Sequence, residues 1–184
     1  MSFVIQIRGA NGSGKSTVVR KFMKLLGDKV KAHIAPGRRQ PLYYKYQEGK
    51  TRIAVVGHYN IDCGGADTIS GNETTFALQQ DLQIAGYNVL AEGIMLSEDV
   101  KWSQHLENLK VLFLNTPLET CLERVIKRRE ESGREHKKPF DPTRTIRRFN
   151  DFIRIRRRLK DAKIDVVECG PERALKIIRH QFGV

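Results

Sequence analysis

The sequence predicts an α/β fold, a mostly parallel sheet with helices on both faces, and three observations carry that prediction. Short apolar runs of strand type alternate along the chain with segments whose apolar residues recur at helical spacing. A glycine-rich stretch joins the first strand directly to the first helix. The 184 residues hold no repeat, low-complexity tract or composition break, so 1–184 reads as one domain.

Phe3-Val4-Ile5-Gln6-Ile7 is the first strand. Ser16 to Leu26 is the first helix, carrying Val18, Val19, Phe22, Met23, Leu25 and Leu26. Gly27-Asp28 ends it, Val30 to Ile34 is a second strand, and Ala35-Pro36-Gly37 is a turn. Leu42 to Tyr46 and Arg52 to Val56 flank Gln47-Glu48-Gly49-Lys50 and are expected to form an inserted β-hairpin. A glycine-bearing loop from Gly57 to Asp67 leaves the second of these strands, and such loops are where open α/β sheets place ligands. Thr74 to Ala85 reads as a helix, Asn88 to Ala91 as a buried strand ending at Glu92-Gly93, and Asp99 to Leu109 as a helix. Lys110 to Leu114 is an interior strand, and Leu118, Cys121, Leu122 and Val125 mark one face of the helix after it. Ser132 to Pro142 is a charged loop, followed by a helix from about Thr143 to Ala162, a strand at Ile164 to Val167, and a helix from Glu172 to Phe182.

Gly9-Ala10-Asn11-Gly12-Ser13-Gly14-Lys15-Ser16 fits G-x-x-x-x-G-K-[ST] without mismatch, with Thr17 next. Glycines let backbone N–H groups close around a phosphate that a Cβ would hold off. Lys15 is expected to meet the β- and γ-phosphates, and the Ser16 hydroxyl to ligate Mg²⁺. With strand before and helix after, Asn11 to Thr17 form the nucleotide cradle of a P-loop NTPase fold.

The formal net charge is +12, and from Arg124 to Lys160 there are 15 Lys/Arg against 5 Asp/Glu. So local an excess points to a polyanion, nucleic acid first. At 100° per residue, Arg144, Arg147, Arg154 and Arg158 share about 80° of arc, opposite the apolar face of their helix. Cys63, Cys121 and Cys169 match no metal pattern and read as reduced thiols. No apolar run approaches the ~20 residues that span a membrane, and the N-terminus lacks a signal peptide's apolar core. A cytoplasmic protein is expected.

Three features favour a kinase over another NTPase. The chain is small, it lacks the Asn-Lys-x-Asp guanine reader, and a helix with Arg124, Arg128 and Arg129 leads into a polar loop before a second basic helix. That arrangement, at about 124–160, resembles the arginine-rich lid of the nucleoside-monophosphate kinase superfamily, which closes on the transferring phosphoryl group. A kinase also needs a carboxylate for the acceptor's proton and another for Mg²⁺. Glu92, an acid ending an apolar strand, is assigned to Mg²⁺. Asp62 and Asp67 flank Cys63-Gly64-Gly65-Ala66, and either could be the base; Asp67 is favoured for its place beyond the glycines, with capping of the helix it starts as the competing role.

The P-loop, the run Gly57-His58-Tyr59 with Cys63-Gly64-Gly65-Ala66-Asp67, the strand end Val89 to Gly93 and the junction Leu114 to Glu119 together resemble a group of bacteriophage P-loop kinases, over roughly Phe3 to Val167. Within that group the chain is similar to the 5-hydroxymethyluracil DNA kinases. The resemblance implies ATP and Mg²⁺ as cosubstrate and cofactor, and phosphorylation of a hydroxymethyl base already in phage DNA, inside an infected bacterium. A base in a duplex hides its substituent, so it would have to be flipped or presented on single-stranded DNA. Cations for the backbone and aromatic faces for stacking are then expected. Arg38, Arg39 and Tyr43 on the hairpin, with Arg144, Arg147, Arg154 and Arg158, are the candidates. A small-molecule kinase, a polynucleotide 5′-hydroxyl kinase and an ATP-switched DNA-binding module remain the alternatives.

Overall fold

The computed structural model describes residues 2–61, 64–132 and 140–184. Seven strands form one sheet in the order β2-β3-β4-β5-β1-β6-β7. They are β1 (Val4–Arg8), β2 (Lys31–His33), β3 (Tyr43–Glu48), β4 (Thr51–Val56), β5 (Asn88–Glu92), β6 (Leu109–Leu114) and β7 (Asp165–Cys169). From β4 to β7 every neighbouring pair is parallel, while β2-β3 and β3-β4 are antiparallel. The helices are α1 (Lys15–Leu26), α2 (Asn72–Ile84), α3 (Ile94–Glu98), α4 (Leu118–Glu131), α5 (Thr143–Asp161) and α6 (Pro171–Phe182).

Alternation along the strands divides the core in two. Ile5, Ile7, Val55, Leu90 and Leu112 face α1 and α6, where Phe22 and Phe182 meet at 5.1 Å between ring centroids. Val4, Val56, Val89, Ala91, Val111 and Phe113 face the other way, onto Phe76 and Leu82 of α2 and Phe152 and Leu159 of α5. Because both faces are covered, Ile53 to Val56 are all buried, as a parallel-sheet strand requires.

The expected hairpin forms, and it is part of the main sheet: β4 pairs with β3 on one edge and lies parallel to β5 on the other, Ile53 to Val56 against Asn88 to Ala91. Two expectations change. The second strand shrinks to an exposed three-residue edge, where Lys31 and His33 suit solvent. The helix expected over Asp99 to Leu109 is a single 3-10 turn at Trp102–His105, because extended Asp99 accepts the N–H groups of Trp102 and Ser103 on Oδ1. A short helix not expected, α3, precedes it.

Gln6 and Arg8 point from β1 into the α2 side, and both are fully buried. Arg8 donates to Gln6 Oε1 and Ser103 Oγ, each at 2.5 Å, and to the Asp99 carbonyl, while Gln6 donates to Gln79 Oε1 at 2.7 Å. Burial pushes the Arg8 guanidinium down to about 9, with Asp99 pulling the other way, so it stays a cation at neutral pH. This network hangs residues 99–103 from the strand that feeds the glycine loop. No helix among the described residues is long and apolar enough to cross a membrane.

Candidate active site

The order of the sheet opens a crevice at the carboxyl end of β1, whose neighbours β5 and β6 lead away to opposite sides. Gly9 to Gly14 fills it as a loop ending on the first turn of α1. A cavity of about 1090 Å³ lies over this loop. Asn11, Gly12, Gly14, Lys15, Ser16 and Thr17 line it; Ser13 sits beneath, fully buried. The Ser13 carbonyl accepts from Thr116 Oγ1 at 2.9 Å, and Gly9 N donates to Ser97 Oγ at 3.1 Å. At Gly12 (φ +79°) a Cβ would stand 2.3 Å from the Cys121 carbonyl oxygen, so the loop apex rests directly on the start of α4.

Lys15 is 7 % exposed, with Nζ inside the loop at 2.9 Å from the Gly9 carbonyl and 3.0 Å from that of Ala10. Burial pushes its ammonium below the ordinary value, and Glu92 and then Asp67 pull it back. Glu92, 2 % exposed at the end of β5, accepts the Ser16 hydroxyl at 2.8 Å. Burial pushes its carboxyl up to about 7, against the pull of Lys15 and the Ser16 hydrogen bond. A hydroxyl and a carboxylate side by side are the hard oxygen donors that Mg²⁺ takes when substrate phosphates complete its shell, so Ser16 and Glu92 fit that ion.

One side of the cavity belongs to α4 and α6. Arg124 and Arg128 line it with Gly170, Pro171 and Arg173. Arg124 Nη1 donates to the Gly12 carbonyl at 3.3 Å, which joins the basic helix to the loop apex. The other side belongs to the glycine-bearing loop after β4. His58 and Gly65 pair there through two backbone hydrogen bonds, and Gly64 and Asp67 face the cavity. At Gly65 (φ +88°) a Cβ would lie 2.3 Å from Glu92 Oε1, so this loop sits on the Glu92 carboxylate.

Asp67 does cap a helix, though not the one it starts. Its Oδ2 accepts Ile94 N at 2.8 Å and its Oδ1 accepts Met95 N at 3.0 Å, the first turn of α3. Asp62 and Cys63 lie outside the described residues, as does most of the expected loop, at 133–139.

The four arginines of α5, Arg144, Arg147, Arg154 and Arg158, are exposed on its outer face, and none lines the cavity. Arg154 pairs with Asp151. Phe152 and Leu159 root the opposite face in the core, so this part of the expected lid region is a fixed body helix. Arg148 binds Glu98 at 3.3 Å and thereby ties α5 to the far end of α3. Arg39 is exposed; Arg38 is half-buried, donating to the Thr68 carbonyl at 3.0 Å. Tyr43 offers no stacking face. The residue is 7 % exposed, packed in the core on the α2 side, with its ring stacked at 4.5 Å on its cross-strand neighbour His33.

Arg20, Lys21 and Arg173 also line the cavity and were not anticipated. For Arg20 a signal existed: it stands four residues beyond Ser16 on α1, on the same helix face.

No family model matches the chain. Individual proteins do. The chain is 36 % identical over 181 residues to the 5-hmdU DNA kinase of Pseudomonas phage PaMx11, covering 96 % of this chain and 95 % of that protein. It is 30 % identical over 158 residues to the 5-hmdU DNA kinase of Pseudomonas phage M6, covering 80 % of this chain and 83 % of the relative. With 5-hmdU DNA kinase 1 of Salmonella phage ViI it shares 34 % identity over 136 residues, or 65 % of this chain and 56 % of that one. A phosphate loop, a buried acid beside its serine, and near full-length similarity to the Pseudomonas phage enzymes converge: the chain belongs to the 5-hmdU DNA kinase family of bacteriophages.

Proposed function

We propose that this kinase transfers the γ-phosphoryl group of ATP to the hydroxymethyl oxygen of 5-hydroxymethyluracil in phage DNA, in the cytoplasm of the infected host, as one step of thymidine hypermodification. The observation that carries the reading is the division of one cavity into two sides, with Lys15 and Ser16 between a basic wall and an acid-bearing glycine loop. ATP takes the basic side. The loop's backbone N–H groups and Lys15 hold its phosphates, and Arg124 and Arg128 offset the charge that develops during transfer.

The acceptor takes the side of Gly64 and Asp67. Its hydroxyl oxygen bonds to the γ-phosphorus as the bond to the β–γ bridging oxygen breaks, ADP leaves, and the hydroxyl proton passes to a carboxylate. Asp67, which faces the cavity on that side, would take that proton. Its two backbone hydrogen bonds fix the carboxylate, and each oxygen keeps a second lone pair for the acceptor. Ser16 and Glu92 would hold Mg²⁺, which when bound neutralises phosphate charge.

The exposed arginines of α5 would track the DNA backbone, with the target base flipped or single-stranded. Radiolabelled γ-phosphate should move to DNA containing 5-hydroxymethyluracil, and to neither unmodified DNA nor free nucleosides. A second reading, a small-molecule kinase, draws on the absence of every α5 arginine from the cavity lining. It predicts label on free nucleosides or nucleotides alone, and activity indifferent to neutralising those arginines.

A further inference from the structure

Arg20 is half-buried on α1 and reaches out of its helix to a different element. Its Nε donates to the Tyr59 carbonyl at 3.3 Å and its Nη2 to the Ile61 carbonyl. Both acceptors belong to the glycine-bearing loop, 39 and 41 residues away in sequence. The loop is also tied to itself and to the sheet. His58 and Gly65 close it by backbone pairing, Tyr44 Oη donates to Asn60 Oδ1 at 3.1 Å, and Tyr59 Oη donates to the Val56 carbonyl at 3.2 Å. Beyond the apolar packing of Tyr59 near Val18, Val19 and Phe22, Arg20 supplies the hydrogen bonds that join the described part of this loop to the helix bearing Lys15 and Ser16. A guanidinium suits the task, because its planar fork meets two carbonyls at once and holds its charge.

From these contacts we infer that Arg20 is a positioning residue for phosphoryl transfer: by holding Tyr59 and Ile61 against α1, it sets the distance between the acceptor side of the cavity and the phosphates on Lys15 and Ser16. The inference rests on the proposed kinase reading, in which the loop after β4 carries the acceptor. One helix face then aligns both substrates, through Ser16 on the donor and, one turn later, Arg20 on the acceptor. A misplacement of about 1 Å between reacting groups costs on the order of 100-fold in rate. Loss of the tether is therefore expected to fall on transfer and spare ATP binding.

The test compares Arg20→Ala, Arg20→Gln and Arg20→Lys with the unaltered chain. The dissociation constant of a fluorescent ATP analogue should stay within about twofold for all three, since Arg20 is spent on carbonyls. The kcat for phosphorylating 5-hydroxymethyluracil DNA should fall roughly 100-fold in the Ala and Gln variants. The Lys variant, whose ammonium can reach one carbonyl, should recover roughly a tenth of the activity. Hydrogen exchange provides an arm that needs no substrate: amides of residues 57–61 should exchange faster in the Ala variant, with those of α1 unchanged. Equal losses in ATP binding and transfer, or protected loop amides in the Ala variant, would overturn the inference. If the unaltered chain phosphorylates no DNA, the kinase-on-DNA reading fails while the exchange arm still decides whether Arg20 tethers the loop.

Discussion

The Ser16 hydroxyl meets Glu92 Oε1 at 2.8 Å, joining the second residue of α1 to the last residue of β5 at the mouth of the phosphate loop. On the proposed reading both groups would hold the metal, and the acid is nearly inaccessible to water.

From that burial follows a pH dependence. Glu92 has its folded-state value raised from 4.5 to about 7, so the folded chain binds its proton more tightly than the unfolded one. The contribution is fully present below pH 4.5 and is lost as pH rises through 7, amounting to roughly 3 kcal/mol over that window. Thermal melts of the metal-free chain should show this decline, and Glu92→Gln should abolish it. Metal binding needs the carboxylate, so Mg²⁺-dependent activity should rise over the same interval, with the Gln variant transferring phosphate about 100-fold more slowly.

A second expectation concerns Gly65. An alanine there would place Cβ 2.3 Å from Glu92 Oε1 in a backbone region (φ +88°) that side chains avoid. Gly65→Ala should lose at least about 100-fold in DNA phosphorylation by displacing the loop. Nucleotide binding by fluorescence titration should be retained, because the glycine loop is built from a different segment.

Charge on α5 makes a third. Replacing Arg144, Arg147, Arg154 and Arg158 by Gln should raise the KM for DNA and leave the KM for ATP unchanged. The dependence of log K on log salt should flatten by about 0.7–0.9 for each DNA phosphate that the helix no longer neutralises. Stability should change by no more than about 0.5 kcal/mol per site, as each side chain is exposed.

Arg8 provides the fourth. Arg8→Ala removes the cation at the centre of a buried network and leaves Gln6 Oε1 and the Asp99 carbonyl without their donor. Urea unfolding should show a loss of about 3 kcal/mol.

The strand, glycine loop and helix at the cavity were legible because their signal is contiguous: eight residues in fixed order, with a strand before and a helix after. Glu92 was legible for a related reason, an acid closing an apolar strand. What escaped depends on distance in sequence. Arg20 finds its carbonyls about forty residues on, and nothing local to α1 announces them. Arg8 follows the apolar run of its strand, and its partners at Asp99 and Ser103 lie 91 and 95 residues on. Tyr43 carries the aromatic-and-basic pattern of a stacking surface, yet it points to a sheet face that the α2-side core covers. Asp67 reads as base or as cap of its own turn, and the helix it caps lies 27 residues away.

The short helix α3 meets the loop after β4, the phosphate loop and α5. Asp67 grips its first turn, Ser97 in its middle holds Gly9, and Glu98 at its end takes Arg148 from α5. Five residues thus link three parts of the chain. On the proposed reading, in which α5 grips DNA, a load placed on that helix would reach the same small frame that sets the two reacting groups, so grip and chemistry would share one chassis.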